Sequence, residues 1–133
     1  MTLDRLNEHF ALIVEYKGVL ETLEALREQV NPQSPRLDGM PHGSGVQDRV
    51  GTLAAEIVEL ERYADDLADR IEADEDVFSW IDGIRDPQTK IIFRLRYKYG
   101  YSWCETAAGM GPNFNEKAVK VRAYRYIQKS NEG

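Results

Sequence analysis

An apolar seam between residues 46 and 82 constrains the fold of this chain more than any other feature of the sequence. The seam residues are spaced alternately by four and three, the heptad period of a helix that packs along one stripe. They are Val46, Val50, Leu53, Ile57, Leu60, Ala64, Leu67, Ile71, Asp74, Phe78 and Ile81. The spacing predicts one helix, roughly 55 Å long at 1.5 Å per residue. Asp74, the polar member, marks either the register of the seam or the point where the helix leaves its partner.

A second helical pattern precedes the seam, over residues 2–29, with Thr2 as the predicted N-cap and Lys17 interrupting the stripe. Its apolar stripe consists of Leu3, Leu6, Phe10, Ile13, Leu20, Leu23 and Leu26. Residues 31–45 are rich in proline and glycine and are predicted to form a loop. We therefore expect the two helices to pair antiparallel as an acidic hairpin over residues 1–82. Because the seam is longer than its partner, we also expect self-association, as a homodimer or a higher oligomer.

Helix-start and helix-stop residues divide the last third of the chain into three short helices. Asp86 and Pro87 fit the N-cap and first position of a helix that Gly100 ends. Ser102 and Asn115 fit the N-caps of the second and third helices. The predicted core face of the first of these helices consists of Ile91, Ile92, Leu95 and Tyr99. This order of helices and turns is typical of a helix-turn-helix.

The predicted fold is therefore all-α, a long antiparallel helical hairpin followed by a C-terminal helix-turn-helix of three helices over residues 83–133.

The charge of the chain changes sign close to the predicted boundary between the hairpin and the helix-turn-helix. Residues 87–133 carry nine Lys/Arg and three Asp/Glu, a net charge of +6, whereas residues 1–86 carry eight and twenty, a net charge of −12. A basic helical module on an acidic body can bind polyanionic DNA while the body repels it.

The candidate DNA-binding residues lie on one face of the last helix. Val119, Ala123 and Ile127 share the opposite face and are expected to pack on the second helix. The candidates on the last helix are Asn115, Lys117, Lys120, Val121, Tyr124, Arg125 and Gln128. On the first helix of the module, Arg94, Arg96 and Lys98 are the candidates for contacts with flanking phosphates. The alternative interpretation is that these are solvated charges on a surface helix.

Residue types that carry enzyme chemistry are isolated in this sequence, so we expect no enzyme activity, cofactor or metal. Ser44 has His42 and Val46 two residues away, where a nucleophile elbow has glycines, and Cys104 has no histidine near it in sequence. Neither His9 nor His42 has a Cys or a second His at metal-binding spacing, and a turn-rich linker explains Asp38, His42 and Asp48 better than a cation site does. The chain has no run of 18 apolar residues, and its start lacks a signal-peptide pattern, so we expect a cytoplasmic protein without a membrane partner.

Several short stretches carry a family resemblance. They are Ser34-Pro35-Arg36-Leu37-Asp38-Gly39-Met40-Pro41-His42-Gly43, Arg94-Leu95-Arg96-Tyr97, Gly100-Tyr101-Ser102-Trp103, and Phe114-Asn115-Glu116 with Val119. The C-terminal stretches resemble region four of bacterial sigma factors, and the whole chain resembles small phage-encoded sigma-like regulators of Gram-positive prophages. The resemblance implies sequence-specific binding of double-stranded DNA, transcription regulation and RNA polymerase as a further partner. Thr106 departs from the family, which usually has a branched apolar residue there, and Gly111-Pro112-Asn113 makes a wider turn.

Two other functions are compatible with the same pattern. A small-terminase-like DNA-packaging protein also joins a helix-turn-helix to an oligomerising hairpin. A protein-interaction module would bind its partner through the acidic hairpin and have no DNA role. A ring-sized assembly in solution favours packaging, whereas a monomer or dimer favours regulation.

Overall fold

The computed structural model describes residues 1–30 and 44–132, and these residues form six helices and no strand. The helices are α1 (Leu3–Val30), α2 (Ser44–Glu72), α3 (Glu75–Asp82), α4 (Pro87–Tyr97), α5 (Trp103–Met110) and α6 (Glu116–Glu132). The predicted all-α class is confirmed. Residues 31–43, which hold most of the predicted loop, His42 and the loop part of the family resemblance, lie outside the described residues. No helix in the described part is long and apolar enough to cross a membrane.

Helices α1 and α2 form the predicted antiparallel hairpin. Near the end of α1, Arg27 Nη2 lies 3.2 Å from Glu61 Oε1 of α2, whereas Arg5 near its start contacts Asp74, beyond the end of α2. The core between the two helices is formed by Val19, Leu23, Ala64 and Leu67, with Leu12, Tyr16, Ile57 and Leu60 packed around them. Four of the eleven predicted seam residues, Ile57, Leu60, Ala64 and Leu67, therefore pack as expected, against the middle of α1.

The buried stripe of α1 changes face along the helix. Leu6 and Ile13 face the C-terminal helices, whereas Val19 and Leu23 face α2, roughly 100° further round at 3.6 residues per turn. The sequence predicted one continuous stripe that included Leu20, but the side chain of Leu20 is 41% exposed. The difference arises because α1 packs on two different neighbours.

The predicted single helix over 46–82 is broken at Asp74, with α2 ending at Glu72 and α3 beginning at Glu75. Asp74 holds the N-cap position of α3, but its carboxylate makes no capping bond. Its two oxygens lie instead 2.7 Å from Arg5 Nη2 and 2.7 Å from His9 Nδ1, both on α1. Asp74 therefore marks the point where the long helix leaves its partner.

Asp74 is ionised in this buried position. Burial alone raises the pKa of its carboxyl group, but the hydrogen bonds from Arg5 and His9 outweigh burial and hold the pKa below the ordinary value of 3.8. An ionised carboxylate only accepts, so Nδ1 of His9 carries the hydrogen that it donates. The His9 ring is fully buried and meets the Phe78 ring edge-on at 5.0 Å.

A larger core joins α3, α4, α5 and α6 to the start of α1. Its buried members are Leu6, Val77, Ile81, Ile84, Ile92, Phe93, Tyr97, Trp103, Ala107, Val119, Ala123 and Ile127. Trp80 of α3 packs on Phe93 and Tyr126, at ring-centroid distances of 5.2 and 5.6 Å. This cluster includes residues from both sides of the predicted boundary at residues 82 and 83, so α3 packs on the helix-turn-helix.

The predicted core face of α4 is partly wrong. Ile92 is buried, but Ile91 and Tyr99 are 46% and 47% exposed. Phe93 and Tyr97 are fully buried in their place. The buried side of α4 includes Phe93 and Tyr97 because α4 contacts α1 and α3 as well as the two other helices of the module.

Helix α4 ends at Tyr97 with Lys98 as its C-cap, two residues before the predicted end, and Gly100 follows with the expected left-handed φ of +73°. A Cβ atom at this position would lie 2.7 Å from Cγ2 of Ile13. The turn after α4 therefore packs against α1 at a residue with no side chain.

Gly100→Ala should destabilise the protein by about 1–3 kcal/mol, because the new methyl group meets Ile13 and the backbone conformation is strained. Gly18→Ala is the matched control, since a Cβ atom there meets nothing within 4 Å. That control should raise stability by about 0.5–1 kcal/mol through helix propensity. Urea unfolding of both variants checks the pair, and equal effects would contradict the close contact at Gly100.

Asp74→Asn should lower the free energy of unfolding by about 1–3 kcal/mol at neutral pH, because Arg5 and His9 lose an ionised acceptor. The contribution of Asp74 in the wild type is present above pH 3.8, its ordinary pKa, and is lost as pH falls through the lower folded-state pKa. Urea unfolding from about pH 7 to about pH 2 should therefore show a smaller acid-dependent loss in the variant than in the wild type.

Asp76→Asn is the control for the loss of stability at neutral pH. Asp76 also accepts from Arg5, but its side chain is 56% exposed. The loss of stability should therefore stay below about 1 kcal/mol. An Asp74 variant as stable as the Asp76 variant would show that the buried pair is not what holds α1 to α3.

Candidate nucleic-acid interface

Side-chain caps set the starts of α5 and α6. The Ser102 hydroxyl accepts from the Glu105 amide at 3.1 Å, and the Glu105 carboxylate accepts from the Ser102 amide at 2.9 Å. The Asn115 side-chain oxygen accepts from the Ala118 amide at 2.8 Å. Both predicted N-caps are confirmed, and the Asn115 side chain is engaged by its own helix.

One face of α6 holds it in the core. Val119 and Ala123 are fully buried and Ile127 is 5% exposed, so the predicted packing face is confirmed. Trp103 of α5 is also buried. Thr106, which departs from the resembled family, is fully buried as well, and its hydroxyl donates to the Ser102 carbonyl at 2.8 Å. The bond satisfies the hydroxyl that an apolar site would otherwise leave unpaired.

The opposite face of α6 borders an open groove of about 930 Å³. Six of the residues that line it are Thr89 of α4 and, from α6 and its cap, Asn115, Lys117, Val121, Arg125 and Gln128. Lys120 lies beside this groove, in a smaller depression shared with Asn115 and Lys117. The structure therefore places six of the seven candidates on α6 and its cap along two adjoining depressions.

Tyr124, the seventh candidate, is partly held by α5. Its ring meets the Trp103 ring edge-on at a centroid distance of 5.9 Å, and Lys120 Nζ lies 5.9 Å from the centroid of the Tyr124 ring. The ring is still 38% exposed. Tyr124 can therefore present its hydroxyl to a ligand without losing its contact with α5.

Arg122 is a positioning residue that the sequence patterns did not reveal. Its Nη2 donates to the Asp86 carboxylate at 2.7 Å and its Nη1 to the Gln88 side-chain oxygen at 2.8 Å. Its Nε donates to the Thr89 hydroxyl at 3.2 Å. These bonds fasten α6 to the first turn of α4.

Asp86 serves two helices at once. Its Oδ2 atom caps α4 by accepting from the Thr89 amide at 3.0 Å, and it also accepts from the Thr89 hydroxyl. The same oxygen accepts from Arg122 of α6. The Thr89 hydroxyl, the Thr89 amide and Arg122 together hold the pKa of this carboxyl below its ordinary value. Asp86 was predicted only as an N-cap. The one sequence feature that indicates its second role is the position of Arg122 at the edge of the packing face of α6.

Arg96 does not lie with the other candidates. Its guanidinium carbon is 3.6 Å from the centre of the Phe10 ring of α1 and 4.5 Å from the centre of the Trp103 ring. Nη1 donates to the Tyr101 carbonyl at 3.1 Å, and burial lowers the pKa of the guanidinium. The cation is stacked between the hairpin and α5, apart from the candidates on α6, and its predicted phosphate contact stays a prediction.

Arg94 is half-buried and Lys98 is exposed on α4, and neither lines the groove beside α6. The structure therefore does not bring these two candidates together with those on α6. They remain available on a separate part of the basic module.

The α6 face is positively charged. Helix α6 carries five Lys/Arg and two Glu, a net charge of +3. Within residues 1–30 and 44–132, Arg122 is the one α6 cation with a salt bridge, so Lys117, Lys120 and Arg125 are not neutralised by a carboxylate. The same described residues contain no group of three or more side chains suited to a metal ion.

Comparison of the sequence with known protein families finds no match, and comparisons with curated proteins and with solved structures find none either. The resemblance to sigma region four therefore stays a prediction, and function has to be inferred from the geometry of α6.

Arg122→Ala should lower the midpoint of thermal unfolding, because α6 loses three hydrogen bonds to the start of α4. Arg125→Ala, one turn away on the exposed side, is the matched control. Its free energy of unfolding should change by no more than about 0.5 kcal/mol. If the two variants melt at the same temperature, Arg122 does not anchor the helix.

Proposed function

We propose that the chain binds duplex DNA through α6, as a sequence-specific transcription regulator. The observation that carries the proposal is the solvent-facing set of cations on α6, opposite the face that Val119 and Ala123 bury. A capped helix of this kind, held on a small helical scaffold, is what enters the major groove in helix-turn-helix proteins.

The dimensions of α6 suit this role. It has 17 residues and is therefore about 25 Å long at 1.5 Å per residue. The major groove is about 12 Å wide and admits one α-helix. Lys117 and Lys120 are suited to phosphates or to guanine, and Gln128 is suited to the edge of adenine. The anchor at Arg122 supports the proposal because base readout requires a helix in a fixed orientation.

The charge of the hairpin supports one orientation on DNA. Helix α1 carries six Asp/Glu and three Lys/Arg, and α2 carries eight and three. These helices are repelled by phosphates, so only the basic module would approach the duplex closely. The proposal includes a homodimer that places two α6 helices on a pseudo-palindromic site, and RNA polymerase as a further partner, as the family resemblance implies.

The combined variant Lys117→Ala, Lys120→Ala, Arg125→Ala should bind DNA more weakly than the wild type while remaining folded. Each lost phosphate contact should reduce the slope of log affinity against log salt by about one unit. Each lost base contact should instead relax preference at one base pair, by about 1–3 kcal/mol. Fluorescence anisotropy with duplexes selected from a random pool, across a salt series, measures both effects.

Val119→Ala is the control for this experiment, since Val119 is fully buried and its loss should lower stability first. Equal DNA affinity of the combined variant and the wild type at the same salt would overturn the proposal. A protein-interaction module would then become the better explanation. A ring-sized mass in solution, with DNA binding intact, would favour DNA packaging over regulation.

A further inference from the structure

The outward face of α6 contains a small apolar surface between its charged residues. Val121 is half-buried and lines the groove, and Ala118, three residues earlier, lines it too. Residues three apart on a helix are neighbours, so the two side chains form one continuous apolar ledge. The ledge does not belong to the packing face, which is formed by Val119 and Ala123.

Charged and polar side chains surround this ledge. Lys117, Arg125 and Gln128 line the same groove. In the proposed complex with duplex DNA, these residues hold α6 against the phosphates and base edges on either side. Val121 lies between them along the helix and therefore faces the floor of the major groove.

In the major groove, one apolar group is available to contact the side chains of this ledge. The base edges there present hydrogen-bond donors and acceptors, and the C5-methyl group of thymine is the apolar exception in unmodified DNA. An aliphatic side chain against a donor or an acceptor would displace water without replacing its hydrogen bond. Contact with the thymine methyl group instead removes apolar surface from water on both sides.

We propose that Val121, with Ala118, contacts the C5-methyl group of a thymine and is a specificity-determining residue of this protein. The inference rests on the proposed function, because it assigns a base to the centre of the α6 face. Lys117 and Arg125 provide affinity around it, and Val121 favours an A·T pair at one position of the site.

The test replaces single thymines by deoxyuridine in the duplex that the full-length protein selects from a random pool. This exchange removes one methyl group and leaves every hydrogen-bonding group of the base in place. At one thymine for each bound protein chain, affinity should fall about fourfold, which corresponds to about 0.8 kcal/mol for one buried methyl group. Substitution at the other thymines should leave affinity unchanged.

Val121→Ala supplies the second part of the test. Alanine favours a helix and Val121 lies outside the core, so the variant should fold, which far-ultraviolet circular dichroism checks. In this variant the thymine and deoxyuridine duplexes should differ in affinity by clearly less than fourfold, because alanine covers less of the methyl group than valine does. Gln128→Ala is the matched control, because it should weaken both duplexes and keep the fourfold ratio between them.

The outcomes separate this inference from the proposed function. Wild-type protein that binds a selected duplex but tolerates deoxyuridine at every thymine would overturn the assignment of Val121 and leave DNA binding standing. A fourfold ratio that persists in Val121→Ala would show that another residue contacts the methyl group. Failure to select any duplex at low salt would overturn the proposed function itself.

Discussion

Arg5 and His9 of α1 both donate to the carboxylate of Asp74, each over 2.7 Å, across the end of the helical hairpin. Breaking a buried pair of this kind leaves an uncompensated charge, which makes the contact costly to remove. The chain is diverted at this point, because α2 ends at Glu72 and α3 starts at Glu75. Helix α3 then brings Val77 and Ile81 into the core shared by α4, α5 and α6. One ionised carboxylate thus fixes where the chain turns from the hairpin towards the basic module, and the contacts of Leu6, Phe10 and Ile13 hold the two parts together beside it.

Local chemistry made much of this fold predictable. The N-caps at Asp86, Ser102 and Asn115 and the left-handed glycine at position 100 depend on groups within a few residues, and all four are found as predicted. The packing face of α6 is equally local, since it follows from the helical period alone. Asp74 was visible as a break in the seam, but its partners on α1 were not.

The remaining features depend on neighbours that are distant in sequence. Arg96 was assigned to the surface by its charge, yet its guanidinium stacks on the Phe10 ring. The two residues are far apart in sequence, so helical spacing could not predict this contact. Ile91 was assigned to the core by its apolar character, yet it is 46% exposed because α4 turns another side inward. For the candidate site, the sequence was enough to predict which side chains of α6 face away from the core. The anchoring role of Arg122 could not be predicted, because it depends on the start of α4 lying beside α6 in the folded protein.

The two faces of α1 have a consequence for the order in which the protein is assembled. Chains are synthesised from the N-terminus, so α1 and α2 can pair while the later helices are still being made. The burial of Leu6 requires α6, because the cluster that buries it also contains Val119 and Ile127 of that helix. The amino group of Met1 lies 3.5 Å from the side-chain oxygen of Asn131, at the far end of the chain. The first of the six described helices in chain order therefore needs the sixth to complete its burial.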